Sequence, residues 1–413
     1  MNLALHASAV TPRVPKLPVV EAFLADIQSF DEFGRKTNTY VHDGITYYSN
    51  EFWTAGQRQG HSLHEISYRA CFKAELPAFF ISRLTTPGSV VYDPFMGRGT
   101  TPLQAFLMQR QALGNDINPL SVLLSRPRLN PVTEERVAHA LARIDWTKGA
   151  IERDDLLAFY HPQTLRKLEA LRVWIAEHAP LASDDVDPVA DWIRMIAINR
   201  LSGHSPGFFS GRSMPPNQAV SVDAQLKINK KLGLSPPERD VSQLILKKTR
   251  SLLKDGVPRL GTPVGLFTGA ASHTPHIPDQ YVDLVITSPP FLDIVHYAHD
   301  NWLRCWFAGI DPAAVALDMH KTEDAWMHMI RRVFHEQARI LKPGGFIAFE
   351  VGEVRNGKVQ LEKLVWRAAE DLPFERIGVL IHDQQFTKTA NCWGISNNTR
   401  GTNTNRIVML RRV

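Results

Sequence analysis

The sequence predicts an α/β fold, a doubly wound Rossmann-like sheet interrupted by a large, mainly helical insertion. Three observations carry this. Apolar, β-rich runs at Ser89–Tyr92, Ala112–Ile117 and Val282–Ile286 each lead into a polar or glycine-containing tip, as buried strands of such sheets do. The first run passes through a glycine turn into a helical pattern and then into the second run, which is one strand-turn-helix-strand unit. Between the second run and the next strand, residues from Ser125 to Thr262 are dominated by helical periodicity.

The bulk properties bound the answer. A chain of 413 residues exceeds what one compact core usually holds, so a main domain with a large insertion is expected. With 44% hydrophobic and 22% charged residues it is an ordinary globular composition, and the net charge of +5 leans toward a polyanionic partner. Cys71, Cys305 and Cys392 lie far apart without CxxC spacing, which argues against a disulfide framework or a zinc site and suits a reducing cytoplasm. No basic leader precedes the short N-terminal apolar run, and no stretch approaches the length of a membrane span.

Taken in order, residues 1–60 carry Pro12, Pro15 and Pro18 and a polar, aromatic stretch from Tyr40 to Trp53, and read as an arm that wraps the core. His61 to Thr86 reads as helical. His61 and His64 share a helical face, but with no third ligand at useful spacing they read as surface or capping residues, and no metal is expected. The strand Ser89–Tyr92 ends in Asp93-Pro94-Phe95-Met96-Gly97-Arg98-Gly99-Thr100-Thr101. A helix follows, capped by Thr100 or Thr101, with Pro102 in its first turn and Leu103, Phe106 and Leu107 on one face. Gly97 and Gly99 let the backbone approach a ligand closely, and the helix N-terminus offers free N–H groups to a carboxylate or phosphate. The second strand ends at Asp116, 17 residues beyond Gly99, where a carboxylate suits the two hydroxyls of a ribose.

The insertion begins with helical patterns at Glu134–Ile144, Pro162–His178 and Val189–Leu201, passes through glycine- and proline-rich turns, and continues into basic helices. From Asp191 to Leu260 there are 12 Lys and Arg against 5 Asp and Glu, an excess larger than that of the whole chain. Arg212, Lys227, Lys230, Lys231, Lys247 and Lys248 are therefore the candidates for contact with nucleic-acid phosphates, although a solvated helical face would show the same pattern. Little sequence follows the last strand, which makes the insertion the expected recognition region.

The strand Val282–Ile286 runs into Thr287-Ser288-Pro289-Pro290-Phe291. The Ser288 hydroxyl and the Pro289 carbonyl can both accept from one planar amino group, the prolines fix φ, and Phe291 offers a π face to a flat ring. A rigid turn after a strand would share the tetrapeptide. Trp302, Trp306 and Phe307 have the spacing of a helix core, and Phe386–Asn405 reads as a polar hairpin between the last two strands.

Taken together, Asp93-Pro94-Phe95-x-Gly97-x-Gly99-Thr100-Thr101, Gly114-x-Asp116-x-Asn118-Pro119 and Thr287-Ser288-Pro289-Pro290-Phe291 resemble the amino-methyltransferases of DNA. The resemblance covers about residues 61–124 and 264–411, including Ala325–Phe346 as the helix, turn and fifth strand of such enzymes. It implies a class I methyltransferase sheet at 61–124 and 263–413, with 125–262 as an inserted target-recognition region. It implies S-adenosylmethionine as cofactor, its methionine end held by Asp93, Pro94, Phe95, Met96, Gly97, Gly99, Thr100 and Thr101. Asp116, with Ile117 and Asn118, would hold the ribose, Gly269 and Ala270 would lie at the adenine, and Phe72 and Lys73 stand where the family has a further cofactor contact. Ser288, Pro289, Pro290 and Phe291 would form the catalytic motif, with His296 and Tyr297 walling the base pocket.

Two departures stand out. Arg98 replaces a small residue between the glycines, and Leu266–Ala270 lacks the acid that often receives the adenine amine, leaving Thr268, Ser272 or a carbonyl for that task. The expected reaction is methyl transfer to N4 of a cytosine flipped out of double-stranded DNA, because serine leads the clamp in the cytosine enzymes. N6 of adenine is the alternative, followed by an RNA or protein-glutamine methyltransferase or a non-catalytic nucleic-acid-binding relative. A carbon-methylating route is rejected because no cysteine follows a proline or sits near a glycine-rich elbow. A cognate restriction endonuclease and the oligomeric state are left open.

Overall fold

The computed structural model describes residues 19–54, 60–68, 71–183, 185–213, 219–258, 261–292, 297–315, 320–354, 359–383 and 404–413. Helix α1 (Val19–Ser29) leads to the hairpin β1 (Asn38–His42) and β2 (Ile45–Asn50). Its turn is Asp43-Gly44, with φ of 51° and 73°, the two positive values that a two-residue hairpin matching strand twist requires. Then come α2 (Glu75–Leu84), β3 (Val90–Asp93), α3 (Thr100–Leu107), β4 (Gln111–Asp116) and α4 (Leu120–Leu129). Five helices follow: α5 (Glu134–Ala142), α6 (Pro162–His178), α7 (Pro188–Arg200), α8 (Val222–Leu232) and α9 (Val241–Leu252). The chain returns through β5 (Val264–Thr268), β6 (Val282–Thr287), α10 (Tyr297–Ala308), α11 (Glu323–Ile340), β7 (Leu341–Val351), the short pair β8 (Glu353–Val354) and β9 (Val359–Gln360), α12 (Leu361–Ala368), β10 (Phe374–Asp383) and β11 (Thr404–Arg412).

One nine-stranded sheet has the order β1-β2-β10-β11-β7-β6-β3-β4-β5. Strands β7, β6, β3, β4 and β5 are mutually parallel, and β11 is antiparallel to both β7 and β10. The tips of the parallel strands, from Asp93 and Asp116 to Thr268 and Thr287, share one edge. The order in which the chain adds strands reverses between β3 and β6, and such switch points are where ligands of open α/β sheets bind. The Rossmann-like sheet expected from sequence is the one observed. Strand β6 has every residue but Asp283 buried, in keeping with helices covering both faces.

Three expectations change. Residues 38–50 do not wrap the core as an arm; β2 pairs with β10 and lengthens the sheet. The helix expected over His61–Thr86 is confined to Glu75–Leu84, preceded by a single 3-10 turn at Ser62–His64. The reason is that carbonyls ahead of α2 are claimed from elsewhere: Leu63 by Arg128, Ile66 by Arg98, and Ser67 by Asn199 and Arg304. With these partners the backbone is satisfied without a helix. Finally, α4 runs through Ser125 to Leu129, and the insertion does not own a separate core. Leu124, Val137, Trp192, Ile193 and Ile245 pack in one continuous cluster with Val91 and Leu103 beneath the sheet. The polar stretch at 386–403 lies outside the described residues.

Candidate active site

The tips of β3 and β6 are tied together. Asp93, 1% exposed, accepts from the Thr287 hydroxyl at 2.6 Å and from the Phe95 amide at 3.0 Å. Burial pushes its carboxyl up to about 7, against the pull of these bonds. Thr101 adds a second tie, its hydroxyl donating to the Ile286 carbonyl at 3.1 Å. Asp93 and Thr101, taken from the sequence as cofactor ligands, thus spend their polar groups inside the protein and hold the glycine loop against the strand that carries Ser288.

The loop is shaped by its glycines. Gly99, at φ 73°, stands at the start of α3, and a Cβ there would lie 2.2 Å from the Ser125 hydroxyl oxygen. Gly97, at φ 50°, donates its amide to Asp116 at 2.8 Å, while the Asn118 amide reaches the other oxygen of the same carboxylate at 2.9 Å. Burial raises the Asp116 carboxyl and these amides oppose the shift. A carboxylate has about four acceptor sites, so two amides leave room for hydroxyl donors. At the neighbouring tip the Asn115 side-chain amide donates to the Gly269 carbonyl at 2.9 Å and fixes the turn that includes Ala270.

Arg98 has a structural task. Its guanidinium donates to the carbonyls of Ile66 at 2.7 Å and Phe72 at 3.4 Å, strapping the segment before α2 over the glycine loop. Arg128, fully buried at the end of α4, donates to the carbonyls of Arg98, Leu63 and Leu124. Burial, with Arg98 close by, lowers it to about 9. His61 caps the 3-10 turn, and His64 is buried beside Gln104 at 3.0 Å. No cluster able to hold a metal occurs among the described residues.

Beyond β6, Ser288 is half-buried and, one residue past the Thr287–Phe349 pair of the β6–β7 ladder, lies beside Glu350 on β7. Glu350 is 8% exposed, accepts from the Asn405 side-chain amide of β11 at 3.1 Å, and is pushed by burial up to about 7. The Trp326 indole donates to the Pro290 carbonyl at 2.8 Å and fixes the second proline, while Phe291 is half-buried. His296 and the side chain of Tyr297 lie outside the described residues. Trp302 and Trp306 are half-buried against the insertion rather than core, whereas Phe307 is buried.

Among the basic candidates Arg212, Lys227, Lys230, Lys231 and Lys247 are exposed. Lys248 is not: it donates to the Glu65 carbonyl at 2.6 Å, and burial lowers it to about 8. Sequence reasoning missed Glu350, Asn115 and Arg128. The acid in Phe346-Ile347-Ala348-Phe349-Glu350-Val351 was the available signal, a charge inside an otherwise apolar strand.

The sheet order, the glycine turn after β3 and the acid at the tip of β4 define a class I methyltransferase fold. A family model described as DNA methylase, covering N6 and N4 enzymes, matches residues 33–125. The chain is 22% identical over 339 residues to the Type II methyltransferase M.BsoBI of Geobacillus stearothermophilus, across 73% of this chain and 60% of that protein. It is 32% identical over 57 residues to the Type II methyltransferase M.MvaI of Kocuria varians, across 14% and 13% of the two chains. Among solved structures, TrmN from Thermus thermophilus superposes with a TM-score of 0.35 at 13% identity, across 85% of this chain and 52% of that one. The geranyl diphosphate C-methyltransferase of Streptomyces coelicolor, in complex with S-adenosyl-L-homocysteine, gives 0.31 at 9% identity, across 82% and 76%.

Over these stretches the chain resembles DNA amino-methyltransferases, and it spans less than two thirds of the length of the curated relatives it matches. S-adenosylmethionine is the cofactor of the DNA methylases whose family model matches, and the residues present fit that group. Gly97 has a backbone open to close approach, α3 directs free N–H groups at the loop, and the Asp116 carboxylate retains acceptor sites for hydroxyls.

Proposed function

We propose that this chain methylates the exocyclic N4 amine of a cytosine flipped out of duplex DNA. The observation that carries the reading is the placement of Ser288 beside Glu350, one residue past the Thr287–Phe349 pair of the ladder, where the hydroxyl can donate to the carboxylate. A serine hydroxyl has one proton and two lone pairs. With its proton committed to Glu350, Ser288 presents only acceptors outward, as an amine with two N–H donors requires. The Pro289 carbonyl supplies a second acceptor, and Trp326 fixes the turn through Pro290.

S-adenosylmethionine supplies a methyl group already activated by its sulfonium. The protein's task is then alignment and proton management. Hydrogen bonds from the amine to Ser288 and Pro289 draw nitrogen away from conjugation with the ring and turn its lone pair toward the methyl. As the N–C bond forms, nitrogen gives up one proton, which passes through the Ser288 hydroxyl to Glu350. A group titrating near 7 suits that role at neutral pH. Phe291 offers a stacking face that offsets part of the few kcal/mol needed to extrude a base.

The exposed Arg212, Lys227, Lys230, Lys231 and Lys247 are proposed as phosphate contacts. The two relatives are named Type II methyltransferases, which supports a modification role beside a restriction enzyme. Labelled S-adenosylmethionine incubated with duplex DNA, followed by nucleoside digestion and mass spectrometry, tests the reading. N4-methylcytosine is expected. N6-methyladenine would retain the site chemistry but reassign the base, and label in RNA or protein alone would overturn the proposal.

A further inference from the structure

Helix α8 is built unlike the other helices of the insertion. Ser221 caps it, its side chain accepting from the Ala224 amide, and Gly233 closes it at φ 60°. Between these ends the one buried residue is Gln225, and the apolar anchoring of the helix is confined to its first residue, Val222, which packs half-buried against the core. Its inward bonds are polar: Gln225 donates to the Arg212 carbonyl at 2.9 Å, and Asn229 to the Ala158 carbonyl at 2.7 Å. Just ahead of it, the Val220 carbonyl accepts from the indole of Trp302 at 3.3 Å, and Trp302 lies on α10, the helix that follows the catalytic turn. The lead into α8 is thereby tied to the helix that follows the turn at Ser288.

Its outward face is chemically mixed. Asp223, Leu226, Lys227 and Lys230 are all exposed, Leu226 by 51%. At about 100° per residue these four fall within an arc of about 100°. Neither Lys227, Lys230 nor Lys231 is ion-paired among the described residues. A face that merely needed to be solvated would not require an exposed leucine along one edge. A leucine beside two cations and one acid matches the major groove, which presents thymine methyls, guanine acceptors and cytosine amino donors.

We propose that α8 enters the major groove and reads base edges, so that Asp223, Leu226, Lys227 and Lys230 set the sequence specificity of methylation. The inference rests on duplex DNA being the substrate. Lys231, outside the arc, remains a phosphate contact. The charge of the face selects DNA as its occupant over a second copy of this chain, whose own α8 would meet it with like charge.

The test is methylation of a duplex library with a randomised target region, read by sequencing the modified sites. It compares the full chain with Leu226→Ala and Asp223→Ala, and with Lys247→Ala on α9 as a phosphate-contact control. The α8 variants are expected to lose discrimination at particular base pairs by about ten- to a hundredfold while still methylating the library. Lys247→Ala should weaken all sites alike. An unchanged site profile for both α8 variants would overturn the inference while leaving the DNA substrate standing. So would a native dimer that Leu226→Ala converts to monomer. Absence of DNA methylation by the unaltered chain would overturn both readings.

Discussion

The Thr287 hydroxyl donates to the Asp93 carboxylate at 2.6 Å, joining two strand tips that are 194 residues apart in sequence. The residue after Thr287 begins the proposed catalytic turn, and the residues after Asp93 form the proposed cofactor loop. With the Thr101–Ile286 bond and the β3–β6 pairing, this bond fixes the separation of the two segments.

Removing that bond without changing shape is possible with Thr287→Val. The buried Asp93 would lose a donor, and its carboxyl would titrate still higher, since Thr287 is among the groups holding it down. A loss of about 1–3 kcal/mol is expected, read as a melting point lower by several degrees. Turnover should also fall, because the cofactor loop and Ser288 lose their register.

Ser288→Ala should abolish methyl transfer and spare cofactor binding, as measured by single-turnover transfer beside calorimetric titration with S-adenosylmethionine. Unchanged turnover would remove the serine from the mechanism.

Glu350 gives the reaction a pH dependence. Its carboxyl sits near 7 in the folded chain, above its ordinary value of 4.5. Activity that needs the ionised form should rise through about pH 7, standing at pH 6 at roughly a tenth of its plateau. Stability runs the other way. A raised acid favours the fold while protonated, and that contribution fades as pH climbs from the unfolded value through about 7. Glu350→Gln should therefore flatten the acidic limb of activity, lower kcat, and narrow the loss of stability between pH 5 and 8 relative to the parent. Asp93 contributes a limb of the same sign in both proteins.

Asp116→Ala should weaken S-adenosylmethionine binding by about ten- to a hundredfold, the scale of losing charge-assisted hydrogen bonds. It would also leave the Gly97 and Asn118 amides without their acceptor. Asp116→Asn should recover part of the affinity, because one acceptor oxygen remains.

Gly99→Ala faces two separate penalties, a positive φ of 73° and a Cβ 2.2 Å from the Ser125 hydroxyl oxygen. Together they should cost about 2–4 kcal/mol and loosen the cofactor loop. Adding Ser125→Gly should relieve the clash but not the backbone strain, so that denaturant titration of the double variant shows partial recovery.

The parts of this molecule that follow from local chemistry were readable in the chain. The strand-loop-helix around Gly97 and Gly99, the acid at Asp116 and the clamp at Ser288 are contiguous in sequence, and each carries its own turn or cap residues. What escaped depends on pairings across long separations. Glu350 acquires its meaning only when β7 lies beside β6, and Arg128 only when α4 folds back on the glycine loop. Segment 61–72 has helix-like periodicity, yet its carbonyls are taken by arginines that sequence alone cannot position. Lys248 looked like its neighbour Lys247 until burial separated them.

The polar seating of α8 bears on how such a protein can change over generations. Helices α7 and α9 share the central core, so alterations on their inner faces disturb the sheet beneath. By contrast, α8 is held by Val222, Gln225, Asn229 and its two caps, none of them on its outward arc. That arc is free to drift, residue by residue, without repacking anything else, so new preferences can arise while the chemistry at the strand tips is inherited intact.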